Sequence, residues 1–438
     1  MAFPYKESVI GFSFVVYFFE TYLNLRQHGK LLEKERPEGI KTYIEEEVFT
    51  KSRLYGLDKS YFRFITGAWS ALQTFVYLHY DLMPAMWAYA GKLLWKYMGL
   101  GSEYEISQSI VFFILFYIVN LVVELPSSLY KDFVLEEKHG FNKSTLNLFV
   151  TDLIKSTVLT LAIGSPILAG FLYVVKWAGA NFAFYVWSFM VVVQLVMITI
   201  FPTFIQPLFN KFSPLEDGPL KDQIEALAKS VEFPLTKLYV IDGSKRSSHS
   251  NAYFFGLFKN KRIVLFDTLL DDSTQEEILA ILGHELGHWK LNHVTSRLVV
   301  TQLHLITVFL VFQQFITNKS LYEAFGFVDG AMPVLIGFVL FQYLYAPIEA
   351  VVGFLLNVLS RKHEFEADAF AVQLGKAHPL ATGLLKLQKK NLGDMNPDPL
   401  YSAYHFSHPP LTERLSAIPV TLTKEDVLAT KISEKKED

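Results

Sequence analysis

The chain has 438 residues, 51% of them hydrophobic, with a formal net charge of −3 and no cysteine. Without a thiol there is no disulfide, no cysteine nucleophile and no cysteine-ligated zinc. So apolar a composition is unusual for a soluble domain, and the near-neutral charge says less than the places where lysine and arginine fall.

Apolar runs of about 18 to 25 residues, long enough to span a bilayer, recur near 8–26, 64–84, 107–125, 152–176, 179–203, 296–317 and 331–358. A buried bundle helix would explain any one of them, but so many in one chain argue for a multi-spanning membrane protein. The run at 152–176 is the weakest as a simple span, because Gly164, Pro166 and Gly170 interrupt it. Lys6 precedes the first run, and Glu20 and Arg26 follow it without a small-residue cleavage site, so a retained anchor is expected there. The loop 27–63 carries Lys30, Lys34, Arg36, Lys41, Lys51, Arg53 and Lys59, and the segment 204–295 adds Lys211, Lys221, Arg246 and Lys290, whereas 85–106 and 318–330 are poor in both residue types. The positive-inside rule then places 27–63, 126–150, 204–295 and 360–438 on the cytosolic side. Four portions follow: membrane helices with cytosolic loops over 1–203, a long cytosolic segment over 204–295, two further membrane helices over 296–358, and a cytosolic C-terminal segment over 359–438. Glu349 lies within the last run, and an ionisable residue at membrane depth faces an interior or a wet cavity, so several helices are expected to line a water-filled chamber.

Between the runs the pattern changes. Leu238 to Ile241, ending in Asp242-Gly243, and Lys261 to Phe266, after Phe258-Lys259-Asn260, read as short strands joined by turns. Asn251, Ala252 and Tyr253 lie between them, either as a free edge that would grip an extended peptide by backbone hydrogen bonds or as part of an ordinary hairpin. Asp271-Asp272-Ser273-Thr274 before Gln275-Glu276-Glu277 reads as a helix start, with Ser273 and Glu276 spaced as a capping box. Ile278, Leu279, Ile281, Leu282 and Leu286 give the helix an apolar stripe.

That helix carries His284-Glu285-Leu286-Gly287-His288, an H-E-x-x-H sequence. Residues four apart share a helix face, so both imidazoles can point at one Zn²⁺ while Glu285 sits beside the attacking water. The plainer reading is two core histidines satisfied by hydrogen bonds. A catalytic zinc needs a third protein ligand and an open position. Downstream, Glu364 and Asp368 are four apart on a helix, so that Glu364 can bind zinc and Asp368 can accept a hydrogen bond from a ligand imidazole. An isolated E-x-x-x-D is more often a solvated charged face, and only the partnership with the first motif reverses that. His284 and Glu364 are separated by two apolar runs, an even number, so they face one compartment. Near the C-terminus His408 precedes two prolines and is held in an extended turn, and Arg414 lies on the first turns of the next helix. At a zinc site this pair could stabilise an oxyanion or bind a carboxylate terminus; elsewhere they would be surface residues.

Taken together, His284 to Lys290, Glu364 to Asp368, Ser250-Asn251-Ala252-Tyr253, Ser407-His408-Pro409-Pro410, Glu136 to Lys143 and Pro207 to Phe212 strongly resemble the type I CAAX prenyl proteases, integral-membrane zinc metalloproteases of the endoplasmic reticulum. The resemblance covers nearly the whole chain. It implies a mainly α fold of about seven transmembrane helices forming a barrel around a large aqueous chamber, with a small α/β gluzincin-type metalloprotease portion at the cytosolic end. It also implies one Zn²⁺ per chain, held by His284, His288 and Glu364, with Glu285 as acid/base, His408 assisting catalysis and Asp368 behind the ligands. Asn251, Ala252, Tyr253 and Arg414 would bind substrate. The reaction implied is removal of the last three residues from prenylated CaaX proteins, in some members with a second upstream cut. The expected partners are those substrates and the lipid bilayer, with no nucleic acid, and the expected location is the endoplasmic reticulum membrane with the site facing the cytosol. Glu366 stands where glutamine is often found, and 267–277 lacks a long charged insertion carried by animal members; neither is expected to touch a ligand. The final Lys435-Lys436-Glu437-Asp438 resembles a dilysine retrieval signal or is simply a solvated tail. Two other readings stay open: a membrane quality-control metalloprotease of heat-shock type, and a carrier or scaffold whose zinc is structural.

Overall fold

The structure is a computed structural model and describes residues 3–256, 260–423 and 425–426. The Phe258-Lys259 part of the expected turn and the dilysine-like tail lie outside the described residues. Six long helices come first: α1 (Tyr5–Leu32), α2 (Glu46–His79), α3 (Leu82–Met98), α4 (Glu105–Tyr130, continued by a π-helical turn through Glu136), α5 (Leu146–Ala178) and α6 (Phe182–Ile200). A sheet portion follows, with β1 (Phe212–Pro214), α7 (Pro219–Ser230), β2 (Leu235–Ile241), β3 (Ala252–Phe255), β4 (Lys261–Phe266), α8 (Asp267–Asp272) and α9 (Gln275–Lys290). The chain then runs through α10 (His293–Phe315), α11 (Lys319–Ala324), α12 (Val334–Gln373), α13 (Ala377–Lys390), α14 (Pro399–His405) and α15 (Leu411–Ala417). The protein is therefore mainly helical with one small mixed sheet.

Among the described residues five stretches are long and apolar enough to cross a membrane: Tyr5–Leu32, Glu105–Glu136, Leu146–Leu208, His293–Phe315 and Val334–Gln373. The third bends at Gly179–Asn181 into α5 and α6, so six of the seven apolar runs lie in these stretches. The run at 64–84 lies in the second half of α2 and beyond, where Gln73 and His79 dilute it. Val15, Ile65, Val122, Ile154, Val192, Leu303 and Leu355 are all exposed on long helices, as lipid-facing side chains are. Gly164, Pro166 and Gly170 do not interrupt α5, which is one helix across all three. Gly170 is instead a seat for a neighbour: a Cβ there would lie 2.7 Å from the ring of Phe189 on α6.

Polar pairs join the long helices at membrane depth. His304 on α10 meets Glu349 on α12 at 2.9 Å, and Gln73 on α2 donates to Glu124 on α4 at 3.0 Å. A cavity of about 740 Å³ between the helices is lined by Glu20, Asn24, Arg63 and Tyr343 among others. His304 with Glu349 and Gln73 with Glu124 are tolerated there because each polar side chain has a partner.

The sheet has the order β1-β2-β4-β3. β2 and β4 run parallel, in keeping with their near-continuous apolar character, while β3 is antiparallel to β4 and lies at an edge. Ile263 and Leu265 of the sheet pack with Ile224 of α7 and with Ile278, Leu282 and Leu286 of α9 in one buried core. The cap of α9 falls one residue later than expected. Thr274, not Ser273, is the N-cap: its Oγ1 accepts from Glu277 N, and Glu277 Oε2 accepts from Thr274 N. The shift follows from α8, which runs to Asp272 and leaves Ser273 as an extended link. Glu277 also receives Lys386 Nζ at 2.8 Å, tying α13 to the first turn of α9.

Candidate active site

α9 and α12 cross closely because α9 presents glycines to its neighbour. A Cβ at Gly287 would lie 3.1 Å from Cβ of Phe370 and 3.2 Å from Cα of Ala367, so the H-E-x-x-H helix lies almost against the backbone of α12. The crossing carries Glu364 and Asp368 to the histidines. His284 Nε2 and His288 Nε2 are 3.1 Å apart, and the Glu364 carboxylate lies 3.5 Å from the first and 3.3 Å from the second. A tetrahedral zinc with ligands at about 2.0–2.1 Å needs its ligand atoms about 3.3–3.4 Å from one another. The spacing fits such an ion. A second observation agrees: Glu364 is buried, yet among the described residues its Oε2 has no hydrogen-bond partner. A carboxylate oxygen left so in a closed core is expensive unless a cation satisfies it.

Asp368 stands behind the first histidine. Its Oδ1 accepts from His284 Nδ1 at 2.8 Å, which leaves Nε2 free to face the cluster. Arg414, on α15, fixes Asp368 in turn, donating from Nε to Oδ2 at 2.8 Å and from Nη2 to Oδ1 at 2.6 Å. Its Nη1 lies 3.7 Å from Glu364 Oε2. Burial pulls the His284 imidazole down, but the carboxylates of Asp368 and Glu364 outweigh it and it is pushed up to about 9. Burial also pushes the Glu285 carboxyl above its ordinary value, against the pull of the two histidines.

His408 reaches the same carboxylate from the other side, with Nε2 3.3 Å from Glu364 Oε1. Its Nδ1 lies 3.0 Å from Ser407 Oγ, and the imidazole is exposed toward the cavity. That cavity, about 990 Å³, is lined by His284, Glu285, His288, Glu364, His408, Arg414 and the strand β3. Asn251, Ala252 and Tyr253 therefore border the cluster. Among the described residues β3 pairs on one side only, with β4, and its residues line the cavity. Asn251 Oδ1 accepts from Ala252 N at 2.8 Å, and Gln206 Nε2 donates to Tyr253 Oη, which braces the strand against the turn that follows α6. Nine of the ten expected site residues thus line one cavity, and the tenth, Asp368, is buried behind His284.

Comparison with known proteins matches the chain in two parts. A family model described as CAAX prenyl protease N-terminal, five membrane helices, matches residues 27–211, and one described as Peptidase family M48 matches residues 214–421. The CAAX prenyl protease 1 homolog of Arabidopsis thaliana is 48% identical over 419 residues, covering 95% of this chain and 98% of its own. The chain belongs to peptidase family M48. The human CAAX prenyl protease 1 homolog is 45% identical, with 94% of each chain covered. Among solved structures, that of S. mikatae Ste24p superposes with a TM-score of 0.90 at 46% identity, covering 95% of this chain and 99% of that one. This M48 peptidase is accordingly a multi-spanning membrane metallopeptidase.

Sequence reasoning about the M48 peptidase missed a group of side chains that meets His288 through His293. His293, His363 and Glu366 form a second group of ligand-type side chains. Glu366 touches no member of the first cluster directly, but it lies one histidine away, since His293 stands between it and His288. The signal was faint. Asn292 takes a left-handed conformation at φ 59°, which asparagine tolerates better than most residues. That turn sets His293 back beside His288, and no helical spacing announces it.

Proposed function

We propose that this protein is a zinc-dependent endoprotease that removes the C-terminal aaX tripeptide from prenylated CaaX proteins. It would act in the endoplasmic reticulum membrane with its site on the cytosolic face. The observation that carries this reading is the cluster of His284, His288 and Glu364, spaced for one tetrahedral ion at the wall of a cavity that an open strand edge borders. The full-length similarity to proteins named CAAX prenyl protease 1 supplies the substrate class.

In this reading His284, His288 and Glu364 would hold the ion. When bound, zinc supplies a Lewis acid and brings a water nearer to ionisation. The chain does the rest. The free edge of β3, from Asn251 to Tyr253, takes the peptide as an added strand and so fixes its backbone without selecting side chains. Glu285 accepts a proton from the attacking water and passes it to the leaving amine, a task suited to a carboxyl held above its ordinary range. His408 faces the scissile position and donates to the developing oxyanion. Arg414 spends two nitrogens on Asp368, so a peptide carboxylate would meet only Nη1. The cavity volume lies at the upper end of the range that encloses a small ligand, which suits a short C-terminal segment.

The test compares a farnesylated peptide ending in Cys-a-a-X with its unprenylated twin on the purified full-length protein. Release of the tripeptide from the first at a much higher rate supports the proposal. Equal rates would favour a quality-control peptidase, and stoichiometric zinc with no chelator-sensitive cleavage would favour a structural ion.

A further inference from the structure

His284 has a carboxylate directly behind it; His288 does not. The Nδ1 of His288 lies 3.0 Å from Nδ1 of His293, and Nε2 of His293 lies 3.0 Å from Oε2 of Glu366. Because His288 Nε2 faces His284 and Glu364, a cation there leaves the hydrogen of this imidazole on Nδ1. That N–H donates to His293 Nδ1, which places the hydrogen of His293 on Nε2, where Glu366 accepts it. The ring of His363 lies flat on that of His293, with centroids 4.0 Å apart and planes within 6°. His293 and His363 are both buried, so neither ring is free to turn into solvent.

We propose that His293 and Glu366 are positioning residues for His288, forming a carboxylate–histidine–histidine chain that fixes its tautomer and strengthens it as a metal donor, with His363 as a stacking clamp. Both histidines of the H-E-x-x-H motif would then be backed by a carboxylate, one through direct contact and one through a relay. This rests on the proposal that His284, His288 and Glu364 hold zinc. The charge at the far end matters as well as the hydrogen bond: a glutamine could accept from His293 Nε2 equally well, but it would not send negative charge toward His288.

The same three side chains could be taken for a second metal site, and their geometry argues against it. Parallel rings 4.0 Å apart hold their in-plane lone pairs in two nearly parallel planes, so the two cannot both point straight at one ion. Both nitrogens of His293 are already engaged. Two cations stand close by, Lys362 with Nζ 3.6 Å from Glu366 Oε1 and Arg297 donating to Ser360 at 3.0 Å.

The test is competition for Zn²⁺ between a chelator and the full-length protein in detergent, with bound metal counted per chain. Glu366→Ala is expected to weaken zinc binding by about 10- to 100-fold, the usual effect of losing a group behind a ligand, and Glu366→Gln by less. Because Glu366 acts through His293, the double variant Glu366→Ala/His293→Ala should bind no more weakly than His293→Ala alone. Thermal unfolding of the chelated proteins, unchanged among variants, separates positioning from general damage. Wild-type zinc affinity in Glu366→Ala, strictly additive losses in the double variant, or a second zinc per chain that Glu366→Ala removes would each overturn the relay. Wild-type protein that binds zinc no better than His288→Ala would overturn the metal site itself, and with it this inference.

Discussion

Glu285 and His284 are adjacent in sequence and face opposite demands: one must exchange a proton, the other must lose one. Glu285→Gln keeps the shape of the side chain and should leave zinc at one per chain while cleavage falls by about 10²- to 10⁴-fold, the range for a lost general base; metal analysis beside a peptide assay checks both halves. His284 is pushed up to about 9, so below that pH the imidazole carries a proton that a cation has to displace. Zinc affinity of the chelated protein should therefore rise with pH through the neutral range and level off near 9, with proton release measurable by calorimetry in two buffers of different ionisation enthalpy. Uptake without release would contradict it. That His284 shares a face with His288, and Glu364 with Asp368, was legible in the sequence because residues four apart lie on one side of a helix. His293 and Glu366 were not, because their meeting depends on the single left-handed residue Asn292 and on how α10 packs against α12.

Between elements, the decisive contact is α9 against α12. Gly287→Ala would put a methyl group 3.1 Å from Phe370 Cβ and 3.2 Å from Ala367 Cα, neither of which can swing aside. The helices should separate by a few tenths of an ångström, and zinc retention and activity should fall together while helical content is kept. Gly283→Ala is the control, since its nearest neighbours, at 3.6 Å and beyond, are at ordinary contact distance. If both variants retain zinc equally well, close approach at Gly287 is not what places Glu364. The sequence read these elements unevenly. The apolar stripe of α9 and the strands β2 and β4 were visible as patterns, but its cap was read one residue early because α8 was not foreseen. The glycines of α5 looked like breaks, since nothing in the sequence shows the ring of Phe189 that fills the space at Gly170.

Across the molecule, the segment after α13 binds the C-terminal part back onto the first helices. Arg26 on α1 donates to both oxygens of Asp398, Gln27 donates to Asp394, and Arg63 on α2 meets Tyr401. Asp398 also caps α14, accepting from the amides of Leu400 and Tyr401 at 3.0 Å each. Asp398→Ala loses a cap worth about 1 kcal/mol together with the partner of Arg26. A lower unfolding temperature is expected, with reduced kcat/KM, because His408 follows α14 directly; an unchanged melting curve would show that this tie is incidental. The membrane character was readable from hydropathy. The polar ties between α1 and residues 391–405 were not, since they join positions more than 360 residues apart.

α12 is one helix from the membrane stretch to the third ligand. Glu364 stands about 45 Å along that rod from Val334, where a tilt of only 1° would carry it about 0.8 Å, far more than metal coordination tolerates. The carboxylate therefore cannot take its address from the lipid end of the helix. It is held locally, by the crossing at Gly287 and the lock of Arg414 on Asp368. Pro347, which has no N–H to give to the hydrogen-bond ladder, lies in the same rod between Val334 and Glu364.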